Sequence, residues 1–74
     1  MSEHTYKVIE LIGTSTESWE KAAASAIEEA GKHLKDLRIA EVKKLDMQIE
    51  DGKVITYRTK VSVSFKYHSD ISHA

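Results

Sequence analysis

Hydrophobic and polar positions alternate along this chain in two distinct rhythms. From Tyr6 to Ile12 the run YKVIELI is rich in β-branched and aliphatic residues and stops at Gly13, which predicts a short strand, β1, with both faces partly covered. The sequence GTSTESWE then carries helix-start signals. Ser15 or Thr14 is placed to cap, Thr14 and Glu17 have capping-box spacing, and Glu17 and Glu20 put acid in the first turns, where the helix dipole favours it. Beyond it the apolar positions Trp19, Ala22, Ala23, Ala26, Ile27, Ala30 and Leu34 form the stripe of an amphipathic helix, with Lys21, Ser25, Glu28, Glu29 and Lys32 opposite. Because the stripe is mostly alanine, the helix backbone is expected to lie close to a covering sheet.

After the helix the period changes to two. DLRIAEV, Asp36 to Val42, opens a long strand, β2, and Val54 to Tyr67 alternates cleanly as β3. On β3, Ile55, Tyr57, Val61, Val63, Phe65 and Tyr67 share one face and Thr56, Arg58, Lys60, Ser62, Ser64 and Lys66 the other. Glu50-Asp51-Gly52-Lys53 joins the two strands, and Asp-Gly is a strong signal for a two-residue hairpin turn. In β2, Ala40 and Val42 have one parity while Leu45, Met47 and Ile49 have the other, so the Lys43-Lys44 step is the expected site of a bulge or sharp bend.

Strand length bears on assembly. Fourteen residues at about 3.3 Å each span about 46 Å, whereas a compact chain of this size has a radius of gyration near ~11 Å. One helix about 10 Å across is too narrow to cover such a hairpin, so another copy of the chain is expected to cover apolar surface near one end. Size points the same way: 74 residues make a single domain, expected to have an ordered core over about 5–67 and a polar, disordered tail over 68–74, and with no cysteine it has no disulfide to offset a small core.

Charge narrows the partners. Eleven basic residues against twelve acidic ones give a net charge of -1, with no block of like charges, so nucleic acid is not an expected partner. MSEHTYKVIELIG has no basic segment ahead of an apolar run, and no run reaches the ~18 residues of a membrane span. A soluble, cytoplasmic protein without a membrane partner is expected.

The element order, together with YKVIELIGTS, the helix beginning SWEKAAASAI, the strand RIAEV and the hairpin EDGKVITYRTKVSVSFK, resembles the dodecin family from about Tyr6 to Tyr67. The resemblance implies an α+β fold of β-α-β-β order, its three-stranded antiparallel sheet wrapped around one helix, assembling into a hollow homododecamer. It also implies a non-catalytic protein that binds and stores flavin. Flavin stacks on an indole and is read at its pyrimidine edge by a glutamine. Aligned with the family, the tryptophan's position holds Ile39 and the glutamine's holds Arg58, so binding of FMN or riboflavin in the family's mode is expected to be weakened or lost. The chain more closely resembles the flavin-poor branch, which includes calcium-binding members and shares the SWE helix start, an arginine before the aliphatic residue, the DM step and ITYR.

Calcium takes six to eight hard oxygen ligands. Asp46, Gln48 and Glu50 share a parity on β2 and Asp51 follows in the turn, but residues spaced about 7 Å apart along one strand cannot all reach one ion. Asp46 and Glu50 are the candidate metal ligands, converging from symmetry-related copies; alternatively these residues mark a solvated strand face. Arg58 and Arg38 are suited to contact an anion, and Arg58 is alternatively placed to pair with Glu41 or Asp46 across the hairpin. Tyr57, Phe65 and Tyr67 read as core or interface, and Trp19 as packing of the helix start on the sheet. His4, His33, His68 and His73 have no metal-ligand spacing, and no nucleophile with a base partner or glycine-rich phosphate loop marks an enzyme.

Overall fold

The computed structural model describes residues 5–67; His4, His68, His73 and the expected polar tail lie outside them. Four elements follow one another: β1 (Tyr6–Ser15), α1 (Trp19–Gly31), β2 (Leu37–Glu50) and β3 (Lys53–Lys66). They form one antiparallel sheet in the order β1-β3-β2, with α1 packed on one side. The fold is therefore the α+β, β-α-β-β arrangement that the pattern predicts. It is elongated, with extents of 55 × 21 × 14 Å and a Cα radius of gyration of 15.5 Å.

Strand β1 does not end at Gly13. It continues to Ser15 because Gly13 pairs with Thr59 inside the sheet. The glycine answers a packing need: a Cβ there would lie 1.9 Å from the Ala22 carbonyl oxygen and 3.0 Å from the Ala26 Cβ. Helix and sheet thus approach backbone to backbone, as the alanine stripe implies, and Ala22, Ala26 and Ala30 are its buried residues.

The helix cap also differs from expectation. Ser18 is the N-cap, its Oγ accepting the Lys21 N–H at 3.0 Å. Ser15 Oγ instead accepts from the backbone N–H groups of Glu17 and Ser18, ordering the turn that leads from β1 into the helix. Lys21 and Glu17 form an exposed ion pair on the first turn.

Between β2 and β3 the connection is the two-residue turn Asp51-Gly52, with φ of 52° and 75°. Two positive φ values in succession favour a residue such as Asp followed by Gly. The register slips between Val42 and Lys44, as the parity change predicts, and also between Leu37 and Ile39 and between Gln48 and Ile49. Reading the pairs, Arg38 and Lys43 are the extra residues on β2 and Ile55 the extra residue on β3. The Lys43 bulge brings Ala40, Val42, Leu45 and Met47 onto one face, paired with Val63, Val61, Thr59 and Tyr57 of the helix-covered side. The Ile55 bulge does the same for Val54, which pairs with Ile49.

The core is small. Val61 and Val63 are each 1% exposed, and Ala26, Ile9, Leu11, Ala23, Ile27 and Leu37 pack around them. A 13-residue helix is about 20 Å long, less than half the reach of a 14-residue strand. Beyond the Met47–Tyr57 pair neither α1 nor β1 follows the hairpin. There Ile49, Val54 and Ile55 remain exposed, as do Val42, Leu45 and Met47 beside the helix start.

Candidate functional site

The sheet has a chemically distinct second face, turned away from α1. In register across it lie Tyr6, Val8, Glu10, Ile12 and Thr14 on β1, Lys66, Ser64, Ser62, Lys60 and Arg58 on β3, and Ile39, Glu41, Lys44 and Asp46 on β2. Ile39 and Arg58, the two positions that the family resemblance aligns with a stacking tryptophan and a glutamine, both occupy this outer face. They lie six residues apart along β3, because Ile39 pairs with Ser64 while Arg58 is itself on that strand, so about 20 Å separates them. Within one subunit they cannot contact one ligand.

At the Ile39 end the surface is aliphatic and aromatic. Ile39 is 66% exposed and is joined across Ser64 by Val8, with Tyr6 one step further along β1. Ser64 Oγ donates to the Ile39 carbonyl at 3.4 Å, and Arg38, the extra residue of its bulge, shares with Tyr6, Ile39 and Ser64 a shallow open depression of about 350 Å³. An isoleucine here gives hydrophobic contact without a π-face.

At the Arg58 end the surface is ionic. Asp46 and Arg58 are direct cross-strand partners, and the guanidinium donates twice: Nε to Asp46 Oδ1 at 2.8 Å and Nη2 to Oδ2 at 2.9 Å. Of the two partners considered from the sequence, Arg58 takes Asp46; Glu41 instead lies near Lys43 at 3.8 Å. The guanidinium's hydrogen bonds hold the Asp46 carboxyl below its ordinary value of 3.8, and the carboxylate raises Arg58 in turn.

Asp46 is held from its backbone as well. The Trp19 indole Nε1 donates to the Asp46 carbonyl at 2.9 Å, while the ring meets Tyr57 edge to face at a centroid separation of 5.2 Å. Trp19 is in turn tied to the central strand, since Thr59 Oγ1, 1% exposed, donates to the Trp19 carbonyl at 2.9 Å. Trp19 thus packs the helix start onto the sheet. This link between helix and acid was not visible in the sequence, because the residues are 27 positions apart.

Glu50, the second candidate ligand, pairs with Lys53 at the hairpin end, four residues beyond Asp46. That separation is about 13 Å along the strand, so the two carboxylates do not converge within a subunit. No group of three or more His, Asp or Glu side chains able to hold a metal gathers among the described residues. A metal at Asp46 or Glu50 would need ligands from another copy.

A three-stranded antiparallel sheet in the order β1-β3-β2, packed on one side against a single helix, defines a dodecin-type domain. The chain belongs to the dodecin family, whose model matches residues 5–68. It is 51% identical over 61 residues, 82% of this chain and 86% of the relative, to calcium dodecin from Mycobacterium tuberculosis. The structure of a dodecin from Streptomyces coelicolor superposes with a TM-score of 0.88 at 35% identity, covering 93% of this chain and 99% of that one. The structure of the Mycobacterium tuberculosis calcium dodecin, a calcium-chelating immunodominant antigen with a novel calcium-binding site, superposes with a TM-score of 0.79 at 48% identity, covering 88% and 93%.

Proposed function

We propose that this protein is a non-catalytic, cytoplasmic binding or storage protein of the dodecin type, with flavin binding in the family's mode weakened or lost and a divalent cation, calcium, as its candidate ligand. The observation that carries this reading is the pair of substitutions at the flavin positions: Ile39 is an exposed aliphatic side chain where the indole would stack, and the Arg58 guanidinium is engaged by Asp46. Similarity to a calcium dodecin supports the choice of ion. The separation of about 20 Å between the two flavin positions, and of about 13 Å between Asp46 and Glu50, supports a ligand shared between copies of a homododecameric shell. Calorimetric titration of the intact assembly with calcium, FMN and riboflavin tests the reading. Calcium binding that falls in Asp46→Ala, with flavin binding weak or absent, is the expected result; tight flavin binding without calcium binding would overturn it.

A second reading, a self-assembling shell with no dedicated ligand, is favoured by the hairpin overhang, where Ile49 is 61% exposed and Val54 45%. It predicts the same assembly but no heat on addition of any of these ligands.

A further inference from the structure

The outer face already carries a cation at Asp46, and it belongs to the chain. Both carboxylate oxygens accept from the Arg58 guanidinium, at 2.8 and 2.9 Å, which takes one lone pair on each oxygen and so the bidentate seat that a metal ion would occupy. The pair is built rather than incidental. The two residues stand opposite one another in register, their side chains are only 40% and 45% exposed, and the Trp19 indole fixes the Asp46 backbone from the helix. Lys44, on the same face one pair along, adds a second positive charge near the carboxylate.

We propose that Arg58 is an internal competitor for the Asp46 carboxylate, so that a hard divalent cation takes both of its oxygens only by displacing the guanidinium, and the ion pair sets the cation affinity of the site. This rests on the cation reading above and names its control. No bond is made or broken in the exchange: the guanidinium stays protonated and passes to solvent or to another acceptor while the carboxylate oxygens turn to the metal. Arginine suits the role because it remains charged at every relevant pH and its planar fork matches a carboxylate. Removing it takes away both the competitor and the repulsion of an incoming cation at a separation of a few ångströms.

Terbium, a hard oxygen-seeking cation with luminescence sensitised by nearby indole, serves as the probe, since Trp19 touches the Asp46 backbone. Titrations of the intact protein with terbium, followed by displacement with calcium, would compare wild type with Arg58→Gln, Arg58→Lys and the double variant Arg58→Gln/Asp46→Asn. The expected result is about tenfold tighter, calcium-displaceable binding in Arg58→Gln, little gain in Arg58→Lys, and loss of the gain in the double variant. Circular dichroism of each variant confirms that the fold is kept; a gain in Arg58→Lys equal to that in Arg58→Gln would overturn the charge-competition account.

The outcomes separate this inference from the reading beneath it. Cation binding in Arg58→Gln but not in wild type would support the competitor role and overturn calcium as the natural ligand. Calcium binding in wild type that Arg58→Gln leaves unchanged would overturn the competitor role and keep the ligand. Binding in none of the proteins would overturn both.

Discussion

Arg58 and Asp46 meet fork to fork across the hairpin, with both guanidinium contacts under 3 Å. Because the pair depresses the aspartate's pKa in the folded protein, its contribution to stability is complete above the ordinary value of 3.8 and is lost as pH falls through the lower folded value. Stability of wild type and Asp46→Asn, measured by urea denaturation at stepped pH, should therefore differ at neutral pH and converge in acid below the ordinary aspartate range. A gap that stays constant down to the lowest pH would mean that the carboxylate's charge contributes nothing. High salt should narrow the neutral-pH gap, as the pair is partly exposed.

Gly13→Ala should destabilise the fold by about 3 kcal/mol, at the upper end for overpacking, because the added methyl meets backbone rather than a mobile side chain. The denaturation midpoint is the readout. Gly31→Ala, where the nearest atom to a new Cβ is Leu37 Cδ1 at 3.8 Å, provides the matched control and should be nearly neutral.

Thr59→Val keeps the shape of a buried side chain and removes its hydrogen bond to the Trp19 carbonyl. A loss of about 1 kcal/mol is expected. Trp19 fluorescence should shift to the red as the indole's seat between Tyr57 and Asp46 loosens, while variants at Thr56, on the opposite face, should leave the emission unchanged.

Light scattering should give a mass near twelve times 8.4 kDa for wild type. Ile49→Asp should dissociate the assembly while the subunit keeps its fold, because Ile49 contributes little to the subunit core, being 61% exposed. An intact assembly in this variant would place the contact between copies elsewhere.

Restoring the two flavin residues, with Ile39→Trp and Arg58→Gln together, should raise FMN affinity at least about tenfold through stacking on more than one indole. Quenching of FMN fluorescence measures it. No gain would mean that the Ile39 surface, though open in the subunit, is not presented to a ligand in the assembly.

Much of the architecture was legible in the residue pattern. The alanine stripe, the Asp51-Gly52 turn and the parity change at Lys43 each encode a backbone requirement locally, and each appears in the structure where the sequence puts it. Gly13 was misread because a glycine at a strand end and a glycine beneath a helix look alike in sequence; only the position of Ala22 distinguishes them. The bulges at Arg38 and Ile55 were hidden for a related reason. Each lies within three residues of its strand's start, too close to the end for a run of alternation on both sides to reveal it, so their effect appears only in the pairing of two strands. At the candidate site the Asp46–Arg58 pair was among the partners that spacing allows, but Trp19's hold on Asp46 depends on how the helix docks.

The bulge at Lys43 makes the hairpin tolerant of one particular change in length and of few others. Deleting that one residue would place Val42 and Lys44 consecutively against Val61 and Lys60, a regular ladder in which no side chain changes face. Losing Lys44 as well would turn every residue from Leu45 to the tip onto the opposite face. Only after that second loss would Leu45 and Met47 face outward and Asp46 inward. Single-residue gaps among relatives should therefore collect at the Lys43 bulge and at the Asp51-Gly52 turn, where length can vary without inverting the two faces. A relative with a gap at the Lys43 position would carry the same two faces on a hairpin that is straighter and less twisted at that point.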